Sequence, residues 1–315
     1  MPTPQDKLAE SLAVLKKLQD EGIIAIHTKN MTRTHRERLV KSGFIKEVMK
    51  GWYIPAHPEE PAGESTAWYA SFWRFCGDYL KSRFGNQWCL SPEQSLSIHS
   101  GNWNVLAQLL VRTPKGGNKP ISLLHETSIM DVRLKLPDKN DIEIKGNFRI
   151  ITLSAALISC APGYYSNNSI EARVALSMIS DASEILHKLL DGGHSTIAGR
   201  LAGAFRNIGK PVIADNIIEA MRAAGYNIAE NDPFEEKAPI NFSERELSPY
   251  VNRIRMNWAD MRGIVLENFP QAPLLHQNTD EYLKHVDDIY LTDAYHSLSI
   301  EGYRVSEDLI ARVSS

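Results

Sequence analysis

Leu8, Leu12, Leu15 and Leu18 recur at three- and four-residue intervals with polar residues between them, the pattern of one apolar helix face from about Gln5 to Asp20, with Gly22 beyond. The short apolar stretch Ile23 to Ile26 leads into His27-Thr28-Lys29-Asn30, which reads as a connection. Thr34-His35-Arg36-Glu37 has the S/T-x-x-E spacing of a capping box and predicts a second helix starting there and ending at Ser42-Gly43. Phe44 to Met49 and Trp52 to Ile54 then predict two short strands about the Lys50-Gly51 turn, closed by Pro55. This order of helix, helix and two-stranded wing predicts a winged helix-turn-helix over residues 1–60.

Farther along, the proline-rich stretch from Pro55 to Glu64 reads as a linker, and Ser65 to Arg83 as a long helix rich in aromatics. Trp68, Tyr69, Phe72, Trp73 and Phe84 are expected in a core, because aromatics at helical spacing are usually core. Pro92 to His99 predicts another helix, with proline at its first turn. Apolar alternation in Leu109 to Val111, Ile121 to Leu124, Val132 to Leu136 and Phe148 to Leu153 predicts strands, giving a mixed α/β region over 64–160. A helical region over 165–275 follows, with helices at Ile170 to Ser180, Ala182 to Leu190, Ser195 to Ile208 and Pro211 to Ala224. Gly192-Gly193-His194-Ser195 reads as a helix start, since no G-x-x-x-x-G-K-[ST] accompanies it. The predicted fold class is α+β and mostly α-helical, with a last segment over 280–315.

Composition changes this picture little. The chain has 315 residues, 43% hydrophobic and 23% charged, which predicts a folded chain of two or three domains. Cys76, Cys89 and Cys160 are odd in number and lack C-x-x-C spacing, so buried thiols are expected rather than a disulfide framework or a zinc ribbon. Without a long apolar run or a secretory pattern, a cytoplasmic protein with no membrane partner is expected.

Charge matters more, because it is unevenly placed. From Lys29 to Lys50 the residues Lys29, Arg33, Arg36, Arg38, Lys41, Lys46 and Lys50 face only Glu37 and Glu47. A basic second helix and a basic wing are what a duplex requires, since recognition helices enter the major groove and wing lysines touch phosphates. The candidate DNA-binding residues are therefore Lys29, Arg33, His35, Arg36, Arg38, Lys41, Lys46 and Lys50. The competing reading is a winged helix that docks proteins or dimerises, and a homodimer is left open. Arg200, Arg206, Lys210 and Arg222 form a second basic set, read first as a solvated face and second as a contact for DNA or another chain. An enzyme reading, a nucleotidyltransferase-like middle region using Asp131, Glu143 or Glu171, has no paired-carboxylate motif behind it. From Asp280 to Ser315, eight acids face three cations.

Two stretches resemble known families. The wing Gly43-Phe44-Ile45-Lys46-Glu47-Val48-Met49-Lys50-Gly51-Trp52-Tyr53 resembles the G-x-I-x-x-V-x-x-G-x-Y-like segment of AbiEi-type antitoxins, a resemblance of about 55 residues that implies a DNA-binding regulator. In the acidic tail, Ser297 and Glu301 are four apart on one helical face, with Gly302 placed to stop the helix. Ser297-x-x-x-Glu301-Gly302 resembles the [S/T]-x-x-x-E-[G/N] inhibitory motif of the Fic family, within Tyr295 to Tyr303. That resemblance implies that Glu301 pairs with the arginine that would otherwise hold the ATP γ-phosphate, with Ser297 orienting the helix. A carboxylate suits this role because its two oxygens match the guanidinium fork and compete with phosphate for it. The Fic catalytic signature H-x-F-x-[D/E]-G-N-G-R-x-x-R does not occur here. The expectation is thus a non-enzymatic chain with no cofactor of its own, acting on a Fic core in cis or in trans, the core being what binds ATP and magnesium.

Overall fold

The computed structural model describes residues 3–59, 63–242, 248–269, 279–300 and 310. In chain order the elements begin with α1 (Pro4–Asp20), β1 (Ile26–His27), α2 (Arg33–Lys41), β2 (Ile45–Met49) and β3 (Trp52–Pro55). They continue with α3 (Thr66–Phe84), β4 (Cys89–Leu90), α4 (Pro92–His99), β5 (Gln108–Thr113), β6 (Pro120–Ser122) and β7 (Ser128–Arg133). A 3-10 turn at Lys139–Asp141 leads to β8 (Ile142–Lys145), β9 (Phe148–Ile151), α5 (Leu153–Ser159), α6 (Tyr164–Asn167) and α7 (Ser169–Ser177). The rest is helical: α8 (Ser183–Asp191), α9 (Ser195–Asn207), α10 (Pro211–Ala223), α11 (Pro249–Asn268) and α12 (Thr279–Ile300). The protein is α+β and mostly α-helical. Residues 1–261 form one unit and 262–315 another. No helix of the described residues is long and apolar enough to cross a membrane.

Local chemistry explains the N-terminal elements. Thr3 caps α1 with a complete box: its hydroxyl accepts from the Asp6 N–H at 3.2 Å, and the Asp6 carboxylate accepts from the Thr3 N–H at 2.8 Å. The second helix starts earlier than the Thr34 box predicts. Thr32 is its cap, accepting from the His35 N–H, and Glu37 is released to pair with Arg33 one turn back at 2.6 Å. Gly43, at φ 75°, ends the helix in the left-handed conformation. The stretch His27 to Asn30 is not wholly connection, because Ile26 and His27 form a strand against Tyr53 and Trp52. The small sheet therefore has three antiparallel strands in the order β1, β3, β2.

These elements close over their own cluster, in which Leu15, Leu18, Ile26, Met31, Leu39, Ile45 and Tyr53 are buried. Behind them, α3 buries Trp68, Phe72, Phe75, Tyr79, Leu80 and Phe84 in a second cluster shared with β4, β5, β7 and β9. Of the predicted core aromatics, Trp68, Phe72 and Phe84 are buried, Trp73 is half-buried against the same cluster, and Tyr69 is 43% exposed. Buried Trp68 donates its indole N–H to Thr127 at 3.1 Å, as a buried indole requires. The four-stranded sheet runs β4, β5, β7, β6, with β5 and β7 parallel and β6 antiparallel at the edge. Gly116 carries the chain out of β5 past β7, where a Cβ would lie 2.5 Å from the Arg133 nitrogen.

The remaining helices share a third cluster built on α5, α7, α9 and α10. Leu153 to Ser159, expected partly as strand, is a helix with Ala155, Ala156, Leu157 and Ile158 all buried. In α9, Gly199 and Gly203 let the irregular segment near Ala229 and Asn231 cross at backbone contact; a Cβ at Gly199 would lie 2.0 Å from the Ala229 carbonyl oxygen. The three cysteines are free and buried, as expected, and burial pushes the Cys89 and Cys160 thiols up to about 11.

Candidate nucleic-acid interface

The eight basic or imidazole residues of the N-terminal segment do not act alike. On α2, Leu39 is fully buried, and His35 and Arg38 turn toward α1 with it. His35 Nδ1 lies 2.9 Å from the Ser11 hydroxyl, and Arg38 donates to that hydroxyl at 2.8 Å and also to the Lys7 carbonyl. Ser11 is itself buried and donates to Lys7 at 3.0 Å. His35 and Arg38 thus fasten the two helices together, His35 through Nδ1 and Arg38 through one Nη.

The outward stripe of α2 is Arg33, Glu37 and Lys41, spaced four apart. Arg33 and Glu37 are exposed in their ion pair, so solvent screens it and a phosphate displaces the carboxylate at little cost. Hydrogen bonding to Glu37 holds the Arg33 pKa above its ordinary value, so the guanidinium stays charged. Arg36 is half-buried, its guanidinium 6.0 Å from the centre of the Tyr53 ring.

The β2–β3 hairpin is held by the Glu47 carboxylate and by one backbone bond. The Gly51 N–H and the Tyr53 hydroxyl donate to Glu47 at 3.1 and 3.4 Å, and the Thr28 N–H donates to the Gly51 carbonyl at 3.0 Å. The last bond joins the turn after β1 to the tip of the hairpin, so exposed Lys29 and exposed Lys50 stand on neighbouring turns. Lys46 is half-buried on β2, opposite Ile54. Arg33, Arg36, Lys41, Lys46, Lys50 and Lys29 remain as cations displayed by two elements and a turn, with Glu47 consumed internally.

The residues of the other readings fall differently. In the second basic set, Arg200 is buried against the Tyr165 ring, Arg206 pairs with Asp215 and Glu230 at 2.7 and 2.6 Å, and Lys210 donates to the Ser177 and Ile179 carbonyls. A solvated face is therefore corrected to internal bonding at Arg200 and Lys210, while Arg206, in its ion pairs, and Arg222 are exposed. Asp131 is buried, paired with Arg83 at 2.9 Å and accepting from the Gly117 N–H at 2.7 Å. Glu171 accepts from Asn102 at 2.8 Å, and Glu143 is exposed on β8. Each carboxylate has its own neighbourhood. Among the described residues no group of three or more His, Cys, Asp or Glu side chains is arranged to hold a metal.

The acidic segment forms α12 through Ile300, which places Ser297 within a helix; its side chain, and all of Glu301 and Gly302, lie outside the described residues. No family model and no curated protein matches the chain. Among solved structures, the crystal structure of the RV2827C protein from Mycobacterium tuberculosis is similar at 12% identity and a TM-score of 0.43, over 66% of this chain and 80% of that one.

Sequence reasoning missed the groups that tie the N-terminal elements to α3. Trp52 sets its ring edge-on to Phe75 and Tyr79 of α3, with centroids 6.2 and 5.2 Å away, and His27 lies on its other side at 4.6 Å. Arg74 donates to the Gly22 carbonyl at 2.8 Å. Asp78 accepts from the backbone N–H groups of Ile24 and Ala25, and from Asn147 at 3.2 Å. Burial raises the Asp78 pKa, and those bonds oppose the rise.

Proposed function

We propose that this chain is a regulatory, antitoxin-like protein region of the cytoplasm that binds duplex DNA through its N-terminal winged helix and restrains Fic-type adenylylation through Glu301. The observation that carries the DNA half is the arrangement of α1, β1, α2, β2 and β3. It leaves Arg33 and Lys41 on the outward stripe of α2 while Lys29 and Lys50 flank the bonded turns of the wing. In this reading α2 lies in the major groove, and the lysines of the wing contact phosphates. The contacts are Lys29, Arg33, Arg36, Lys41, Lys46 and Lys50, without His35 and Arg38. A mobility-shift titration against salt tests it: log K falls by about 0.9 per decade of salt for each phosphate contact. Affinity indifferent to salt would refute it.

The Fic half rests on the motif from Ser297 to Gly302. Here Glu301 occupies the arginine of a Fic core, supplied in cis or in trans, and the ATP γ-phosphate loses its donor. ATP and magnesium belong to that core, and this chain does no catalysis. Adding the chain, or its Glu301→Gly variant, to the matching core and following self-AMPylation tests this half. Equal activity with both would remove the role given to Glu301. A second reading, a winged helix for docking proteins or dimerising, is favoured by the internal use of His35 and Arg38; it predicts a partner bound without a salt slope.

A further inference from the structure

The bonds between the N-terminal elements and α3 have a counterpart on the surface. Between the turn after β1, the wing and α3 lies a cleft of about 580 Å³ whose walls include His27, Lys29, Asn30, Trp52, Asp78 and Lys81. A second cleft, of about 200 Å³, lies between α3 and the β8–β9 hairpin and is walled by Asp78, Lys81, Trp88, Asn147 and Arg149. The two share Asp78 and Lys81 as wall residues. Lys29 lines the first, Arg149 the second and Lys81 both.

We infer that duplex DNA seated on α2 and the wing continues over the α3 face that these two clefts share, with Lys81 and Arg149 contacting its phosphates. The inference rests on the DNA-binding reading and extends the footprint beyond the winged helix. Three observations carry it. Lys81 is exposed, and the Nε of half-buried Arg149 donates to the Trp88 carbonyl at 3.0 Å, which fixes the guanidinium at the cleft wall. The acidic group between them, Asp78, accepts from Ile24, Ala25 and Asn147 and faces the cations Arg74 and Lys81, and exposed Glu21 is the other carboxylate of the walls. Finally, Asp78, Arg74 and Trp52 join the winged elements to α3 directly, so Lys81 keeps a fixed position relative to Lys29 and Lys50. Arg149, held to the Trp88 carbonyl before binding, contributes with less ordering cost than a free side chain.

The test is the salt dependence of DNA binding by the full chain, compared with Lys81→Gln, Arg149→Gln and the double variant. Lys50→Gln serves as the wing reference and exposed Lys237→Gln as a remote one. The expected slope of log K against log salt is shallower by about 0.9 for each of Lys81 and Arg149, by about 1.8 for both, and unchanged for Lys237→Gln. Lys81 makes no bond that the fold depends on, so its variant reads binding even if Arg149→Gln weakens the cleft wall. A shallower slope for Lys50→Gln with Lys81→Gln equal to the parent overturns this inference and leaves the winged-helix reading standing. The same loss for Lys237→Gln as for Lys81→Gln overturns it too, since the effect would then be diffuse charge. Binding with no salt slope in any protein removes both readings.

Discussion

Arg38 and Lys41 sit three residues apart on the same short helix, and the structure gives them opposite roles. The Arg38 guanidinium donates to the Lys7 carbonyl and to Ser11, which is 0% exposed, whereas Lys41 points to solvent. Replacing Arg38 with Ala strips a charged donor from two acceptors on α1. Hydrogen bonds involving a charged group are worth about 1.5 to 3 kcal/mol each, and removing one partner adds the cost of an unsatisfied group. Arg38 is half exposed, and water will reach the Lys7 carbonyl, so the lower end applies to the pair together, about 1.5 to 2 kcal/mol. Lys41→Ala should stay within about 0.5 kcal/mol, as surface substitutions do. Urea unfolding followed by circular dichroism measures both, and the salt slope of DNA binding is read on the same proteins. Arg38→Ala should lose stability and keep the slope, while Lys41→Ala should keep stability and flatten the slope by about 0.9. If Arg38→Ala unfolded like the parent and flattened the slope, Arg38 would be a phosphate contact and its bonding to α1 would be wrong.

Further outcomes follow from packing and titration. Leu39→Ala, at a fully buried position, should cost about 2 to 5 kcal/mol in urea unfolding, against at most about 0.5 kcal/mol for Val40→Ala, which is 43% exposed; equal costs would contradict the orientation of α2. Asp78 has a raised pKa in the folded protein, so the fold favours its protonated form, and stability falls as pH rises from the ordinary carboxylate value through the raised one. Asp78→Asn should remove that fall from a pH series of unfolding midpoints, and a series that fell as steeply in the variant would discard the assignment. Gly199→Ala should lower the thermal midpoint sharply, because its Cβ would sit 2.0 Å from the Ala229 carbonyl oxygen, a backbone atom with no side chain to swing away; an unchanged midpoint would refute the close crossing.

How much of this was legible beforehand depended on whether a signal was local. Pro92 to His99 could be read to the residue because Ser91, accepting from Gln94, and Pro92 at the first turn are adjacent in sequence. The start of α2 is misplaced by the pattern because Thr32 caps the helix while Thr34 lies in its first turn, and the S/T-x-x-E spacing favours Thr34, whose glutamate in fact serves Arg33. Cys89–Leu90 was too short to show any period, and in Ile142–Lys145 Ile144 is exposed, so neither strand announced itself. The predicted strand from Phe148 runs two residues too far, to Leu153, because the apolar residues on either side of Thr152 do not distinguish the end of a strand from the start of a helix. At the candidate interface the charge run was visible, but its division between bonded and displayed cations was not. The partners of His35 and Arg38 lie on α1, 24 to 31 residues away.

The edge-on seating of Trp52 against α3 bears on mechanics. The helix is a single uninterrupted rod of 19 residues, about 28 Å long, met by the indole at Phe75 and Tyr79 and bonded through Trp68 near its first turn to Thr127, beside β7. Torque applied at the tip of the hairpin therefore enters this rod through the indole and is delivered to the sheet as rotation, where a bare proline-rich tether would have dissipated it as slack.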